Sequence, residues 1–225
     1  AGVVAMVYAF KALQHLGLQP ASEVQFHTVI EEECTGNGAL DIIQRGYRAD
    51  ACIIPEPLPF IMTAQVGVVW LHIETTGKPA HVWDTSAGIN AIEGSMKLYE
   101  AMKALVETWN APEVRHPMYT GMSHPININL GRIEGGEWGS TVPSRCTMIV
   151  RVGFFPDEKV ANVQSKLEDF IHTTSKEIGI TCQVSYGGFV ADGCKLDPDS
   201  ELVRSLAAAY QNAHVDVEGV PVHPA

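Results

Sequence analysis

Between residues 66 and 186 the chain switches between two hydrophobic periods in an order that few folds accept. Residues 66–76 read as a long strand, and residues 85–108 as a long helix with Ile89, Ile92, Met96, Tyr99, Met102 and Leu105 on one stripe. Two strands follow at 126–134 and 145–154, the first ending at Gly135-Gly136. A second helix over 157–175 turns Val160, Val163, Leu167, Phe170 and Ile171 inward, and residues 180–186 read as a last strand. The order β-α-β-β-α-β is that of the split β-α-β, or ferredoxin-like, arrangement. It assigns an α+β domain to residues 63–184, inserted between two flanks.

The flanks have another rhythm. A helical pattern over 2–16 carries Val3, Val4, Val7, Phe10 and Leu13, with Gly17 as its C-cap and Pro20 beyond. Residues 23–30 alternate Val24, Phe26, Thr28 and Ile30 against Gln25, His27 and Val29, which reads as a strand broken at Val29. An acidic turn, Glu31-Glu32-Glu33, leads to a short helix through Ala39, Ile42 and Ile43 that ends near Gly46. A short strand at 50–54 is stopped by Pro55-Glu56-Pro57. Helix–strand–helix–strand is the rhythm of a parallel or mixed sheet covered by helices, so residues 1–62 are expected to begin an α/β domain. Residues 185–225 return to it: Gly187-Gly188 leads out of the insert, Asp197 caps and Pro198 opens a helix to about Ala213, and a further strand starts at 221–225.

Both acidic sites stand where a strand leaves such a sheet, the edge at which ligands bind. Three adjacent carboxylates repel one another, and a helix dipole offsets only ~0.3–1 kcal/mol per charge. A bound cation would remove the conflict, because hard and borderline metals accept carboxylate oxygens. Glu32, Glu33 and Glu56 are therefore candidate ligands. On spacing alone a solvated acidic turn also accounts for the triplet, and an ordinary loop acid for Glu56.

Composition excludes some functions. A net charge of −11 repels nucleic acid, so no such partner is expected. The apolar runs fall short of the ~20 residues that span a bilayer, and no membrane partner is expected either. The cysteines at 34, 52, 146, 182 and 194 are odd in number and show no CxxC spacing. Neither a disulfide framework nor a thiolate zinc site fits them, and a reducing cytoplasm is the expected compartment. Cys34 reads as a small packed residue at a strand end rather than a nucleophile. The chain begins at Ala1, without Met and already inside a helical pattern, which reads as a piece of something longer.

With these elements in order, the chain resembles the co-catalytic metal amidohydrolases, the family of acetylornithine deacetylase, succinyl-diaminopimelate desuccinylase, aminoacylase and glutamate carboxypeptidase. The resemblance rests on Glu31-Glu32-Glu33, Ala51-Cys52-Ile53-Ile54-Pro55-Glu56-Pro57, Gly77-Lys78-Pro79-Ala80-His81, Gly88-Ile89-Asn90-Ala91-Ile92, and Asn129-Leu130-Gly131-Arg132-Ile133-Glu134-Gly135-Gly136 with Val142-Pro143. It covers essentially the whole chain but only the middle of the family's longer one. It implies an incomplete catalytic α/β domain carrying an inserted ferredoxin-like lid through which two copies form a homodimer. It further implies that Glu32 is the general base toward a metal-bound water, and that Glu33 and Glu56 are metal ligands. Two divalent ions are implied, zinc first, with cobalt or manganese as alternatives. By the same resemblance His81 reaches the partner subunit's site and steadies the carbonyl oxyanion. Arg151 grips a substrate carboxylate, for which a forked guanidinium is suited, and Ser140 and Asn129 are further substrate contacts. Without the resemblance, His81 reads as an idle loop histidine and Arg151 as a solvent-facing strand residue.

Two positions depart from the family pattern. Ser140 stands where an Asn is usual before the Val-Pro step, and Ile149 where an Asp is usual two residues before the arginine. Both bear on which acyl group is accepted. The family's remaining ligands should lie before Ala1 and after Ala225, so a 225-residue piece alone is expected to be inactive. The expected function is a metal-dependent hydrolase that cleaves an amide, N-acyl or peptide, next to a carboxylate-bearing amino acid. The alternative is a non-catalytic dimerisation or regulatory relative. A magnesium phosphotransfer site is disfavoured, since no glycine-rich phosphate loop is present.

Overall fold

The computed structural model describes residues 1–56, 60–213 and 222–224. In chain order these form helices α1 (Gly2–His15) and α2 (Asn37–Gln44), strands β1 (Ile61–Gln65) and β2 (Gly67–Thr76), and helix α3 (Ala91–Trp109). Strands β3 (Ile128–Gly135) and β4 (Arg145–Phe154), helix α4 (Val160–Ile178), strands β5 (Thr181–Tyr186) and β6 (Cys194–Lys195), helix α5 (Glu201–Ala213) and strand β7 (Val222–Pro224) follow. Short 3-10 turns occupy Val82–Ala87 and Pro117–Tyr119. The chain divides into a unit of residues 1–61 with 197–223, and a second unit built on residues 62–196.

The second unit has the expected α+β topology. Its antiparallel sheet runs in the order β3-β4-β2-β5, with β2 and β4 paired from Gly67↔Phe154 to Thr76↔Arg145. Alternate residues of the two central strands, Val69, Leu71 and Ile73 with Met148, Val150 and Val152, are all buried. They meet Leu98, Met102 and Val106 of α3 and Val163, Leu167 and Ile171 of α4, which share the three-to-four spacing of one helix face. Each such side chain contributes about 1.5–3 kcal/mol by leaving water. Strand alternation puts Trp70, His72 and Arg151 on the face turned away from that core.

Local chemistry moves several boundaries. The first helix of this unit starts at Ala91 rather than at residue 85, because the Asn90 carboxamide oxygen accepts from Ile92 N–H at 3.0 Å and Glu93 N–H at 3.1 Å. The residues before it form a 3-10 turn that ends at Gly88. The second helix runs to Ile178 and stops at Gly179, whose φ of +87° is the left-handed position favoured by glycine. The last helix begins at Glu201 instead of Pro198: Asp197 Oδ1 accepts from Asp199 N–H at 2.9 Å, closing a turn in place of a helix cap.

In the first unit the helices form, but the strands expected at 23–30 and 50–54 do not. Helix α1 ends as predicted, with Gly17 N–H on Gln14 O and Leu18 N–H on Leu13 O. Residues 23–30 and 50–54, however, join no ladder among the described residues. A strand exists only through a paired neighbour, and none reaches these segments. Their apolar side chains stay uncovered: Phe26, Ile30, Ile53 and Ile54 are exposed, as are Val3, Val4 and Val7 of α1. The parallel sheet read from the sequence is thus not formed within the described chain, whose sheets are antiparallel where their register is given.

Charge pairs within the second unit carry a pH dependence. Lys195 pairs with Asp157, whose other oxygen lies 2.9 Å from His116 Nε2. Asp192 accepts from Lys159 Nζ at 2.9 Å and from Val160 N–H, at the start of α4, at 2.8 Å. Lysine hydrogen bonds are the main cause that holds both carboxyls below their usual range. A depressed folded pKa means stability that is full above the unfolded value, about 3.9, and lost as pH falls through the folded value. Thermal melts from about pH 6 down to about pH 3 should show the melting temperature falling at the acid end. The double variant Asp157→Asn with Asp192→Asn should fall less steeply, and an unchanged slope would remove these pairs from the account.

Candidate functional site

The acidic turn separates three residues that look alike in sequence. Glu31 is the one described non-glycine residue with positive φ, +61°. Its carbonyl oxygen accepts from the N–H groups of Cys34, Thr35 and Gly36, at 3.3, 3.1 and 2.8 Å. Its carboxylate accepts from the Thr35 hydroxyl and, at 3.1 Å, from Asn37 Nδ2. A left-handed glutamate costs of order 1–3 kcal/mol, and these bonds hold it there. Glu31 therefore builds the turn. Glu32 and Glu33 are exposed, with no hydrogen bond or ion pair among the described residues.

Glu56 is also exposed, in the loop after residues 50–54, with its N–H on Ile54 O at 2.9 Å. Pro57, the other half of its proline bracket, lies outside the described residues, as does His214. Among the described residues no three His, Cys, Asp or Glu side chains converge into a group able to hold a metal ion. Glu33 and Glu56 alone do not fit a metal centre, since a catalytic zinc takes about three protein ligands.

The second unit brings four of the expected residues together in two pairs. His81 bridges to Thr141, Val82 N–H reaches Ser140 O at 3.2 Å, and Val142 N–H reaches Ala80 O at 2.8 Å. The loops carrying His81 and Ser140 are thus zipped side by side. The His81 ring caps the 3-10 turn, with Nδ1 accepting from Trp83 N–H at 3.2 Å. An accepting Nδ1 carries no proton, so the neutral ring keeps its proton on Nε2. Nε2–H has no hydrogen-bond partner among the described residues and is available as a donor.

The other pair lies on the open face of the sheet. Arg151 sits between Asn129 of β3 and Trp70 of β2 as direct cross-strand partner of both. Side chains so placed stand about 5 Å apart at Cβ. Arg151 and Asn129 are exposed, and the guanidinium makes no ion pair among the described residues. Ile149, where the family pattern has an acid, leaves that charge unneutralised. Sequence reasoning passed over Trp70, whose indole is closely covered: a Cβ on Gly188 would lie 2.7 Å from it. The register pairing of residue 70 with 151 is the signal that could have found it.

A hollow of about 540 Å³ adjoins the His81–Ser140 pair, between residues 82–92 and 135–143. Trp138, 66% exposed, forms part of its wall. Glu137 accepts from the Ser144 hydroxyl and from Ser144 N–H, the latter at 3.2 Å. These bonds, the hydroxyl's first, hold its carboxyl below the usual range.

Comparison with known proteins gives one consistent answer. Residues 63–178 match a family described as a peptidase dimerisation domain. N-formyl-4-amino-5-aminomethyl-2-methylpyrimidine deformylase of Bacillus subtilis (strain 168) is 24% identical over 93% of this chain and 54% of its own length. Acetylornithine deacetylase of Vibrio campbellii is 30% identical over 61% of this chain and 36% of its own. Among solved structures, aminopeptidase PepT from Bacillus cereus aligns over 100% of this chain and 56% of its own, with a TM-score of 0.71 at 20% identity. A Staphylococcus aureus tripeptidase gives the same TM-score at 17% identity. At such identities the structural likeness shows the fold alone. The chain spans about half the length of the deformylase, 54%.

Proposed function

We propose, from the premise that this chain belongs to the M20 metallopeptidase family, that the intact protein hydrolyses an amide bond next to a carboxylate-bearing amino acid. The observation that carries this reading is the acidic turn, where Glu31 holds the backbone and leaves Glu32 and Glu33 free. Glu33 and Glu56 are this chain's contribution to a site for two divalent ions, zinc in the first instance, completed by ligands from outside these residues. Such ions lower the pKa of water and polarise a carbonyl.

The chain's own groups have separable tasks. Glu32 accepts a proton from the attacking water as its oxygen bonds to the carbonyl carbon and the C=O π pair moves onto oxygen. His81 donates Nε2–H to that developing oxyanion, a role for which its tautomer is already set. Glu32 then returns the proton to nitrogen as the C–N bond breaks, releasing the amine and the carboxylic acid, which passes its remaining proton to the amine to give carboxylate and ammonium. Arg151 and Asn129 bind the substrate's own carboxylate. His81 acts in the partner subunit's site, so the active form is a homodimer assembled through the inserted unit.

A second reading is favoured by coverage. The deformylase match spans 93% of this chain against 61% for the deacetylase, so removal of a formyl group from an N-acylated amine is also supported. Arg151→Ala separates the two. If the substrate carries a carboxylate, the variant should lose at least ~1.5–3 kcal/mol of binding to an N-acyl amino acid, the worth of a charged hydrogen bond. The same substrate amidated at its carboxylate should be unaffected. Equal loss on both would show that Arg151 does not read the carboxylate and would favour the formyl-amine reading.

A further inference from the structure

We propose that Ile149 selects the amino-acid half of the substrate, receiving an uncharged aliphatic side chain and turning away a cationic one of the same length. This rests on Arg151 holding the substrate carboxylate, as proposed above, and names the substrate class of that same site. The carboxylate and the side chain leave one α-carbon. What lies beside Arg151 is therefore that side chain, and not the acyl group to which the sequence pointed.

The surroundings of Arg151 leave one direction open. On the outer face of the sheet Asn129 stands on one flank and Trp70 on the other, the latter covered by Gly188. Two residues further along β4 is Gly153, buried and without a side chain, paired with Val68, which is 5% exposed. Two residues the other way is Ile149, roughly 6.5–7 Å along the strand and only half-buried. Ile149 is thus the uncovered apolar surface next to Arg151.

Charge decides what that surface takes. The cross-strand partners of Ile149 are His72 of β2 and Arg132 of β3. Arg132 is paired with Glu134 at 2.6 Å, and Gly187 closes one side of the His72 ring, where a Cβ would lie 3.1 Å from Nε2. Glu74 and Glu134 stand opposite Thr147, one row further from Arg151. A side chain as long as that of norvaline ends over Ile149, short of that row. An ammonium group at its tip would lose water against hydrocarbon, with a guanidinium as its charged neighbour. A methyl group there gains by covering Ile149.

The test uses the intact protein and two compounds formylated on the α-amine, N-formylnorvaline and N-formyl-2,4-diaminobutyrate. Their side chains match in length, and formyl is the smallest acyl group, so the acyl side does not decide. The ratio of kcat/KM values should favour norvaline by about tenfold or more. Ile149→Asp should reverse that order, and any weakening of Arg151 by the new carboxylate acts on both compounds and cancels in the ratio. Ile149→Thr, which keeps the branched shape, should lower the ratio by about threefold or more, and Ile149→Val should keep it. No preference in the unsubstituted protein, or a ratio unmoved by Ile149→Asp and Ile149→Thr, would overturn the proposal. Hydrolysis of neither compound, or rates untouched by Arg151→Ala, would bring down the underlying reading instead.

Discussion

Glu32→Gln in the intact protein is expected to lower turnover by ~10²–10⁴-fold while leaving bound metal unchanged. The change keeps the side chain's shape and its place in the turn but removes the basic oxygen that takes a proton from water. Glu33→Gln should differ, losing metal content together with activity, because a neutral amide is a poor ligand for a hard or borderline cation. Neither substitution should unfold the protein. Both residues are exposed, and the turn is held by Glu31 through Asn37 Nδ2 and its own carbonyl oxygen. Metal analysis beside a rate on an N-acyl amino acid separates the two roles. A Glu32→Gln protein with a normal rate would return the triplet to an ordinary charged turn.

His81→Ala should cost about 10²–10³-fold in kcat, the usual worth of one oxyanion donor. The loss should fall on kcat rather than KM, because the oxyanion forms only on the way to the tetrahedral intermediate. The variant should remain folded and dimeric. His81 is exposed, and its one side-chain hydrogen bond among the described residues is to Trp83 N–H, so the zipped loops keep their backbone contacts without it.

The inserted unit was legible in the sequence because its signals are local. Leu98, Met102 and Val106 fall on one helical face wherever the helix is placed, and Val69, Leu71 and Ile73 alternate within one strand. Helix starts were less legible, since they depend on particular hydrogen bonds such as that from Asn90 Oδ1 to Ile92 N–H. The strands expected at 23–30 and 50–54 were misread for a different reason. Val24, Phe26 and Ile30 have the alternation of a strand, but a strand is made by its neighbours, and the alternation does not supply them. In the site, spacing alone gives no ground for ranking the three glutamates, and only the family resemblance separates them. The positive φ of Glu31, with Thr35 and Asn37 on its carboxylate, is the three-dimensional fact that sets it apart from Glu32 and Glu33. The pairing of His81 with the strip around Ser140 joins residues about sixty positions apart, beyond the reach of any local pattern.

The central claim is a hydrolytic site that takes Glu32 from one subunit and His81 from the other. Subunit mixing tests it most directly. Glu32→Gln and His81→Ala proteins, each nearly inactive alone, are dissociated, combined in equal amounts and allowed to re-form dimers. Half of the random dimers are then mixed, and each mixed dimer has one site with both groups intact. Activity should recover to about a quarter of that of the unsubstituted protein. Recovery to no more than the sum of the two variants, with mixed dimers shown to be present, would contradict a site built across the two-fold axis.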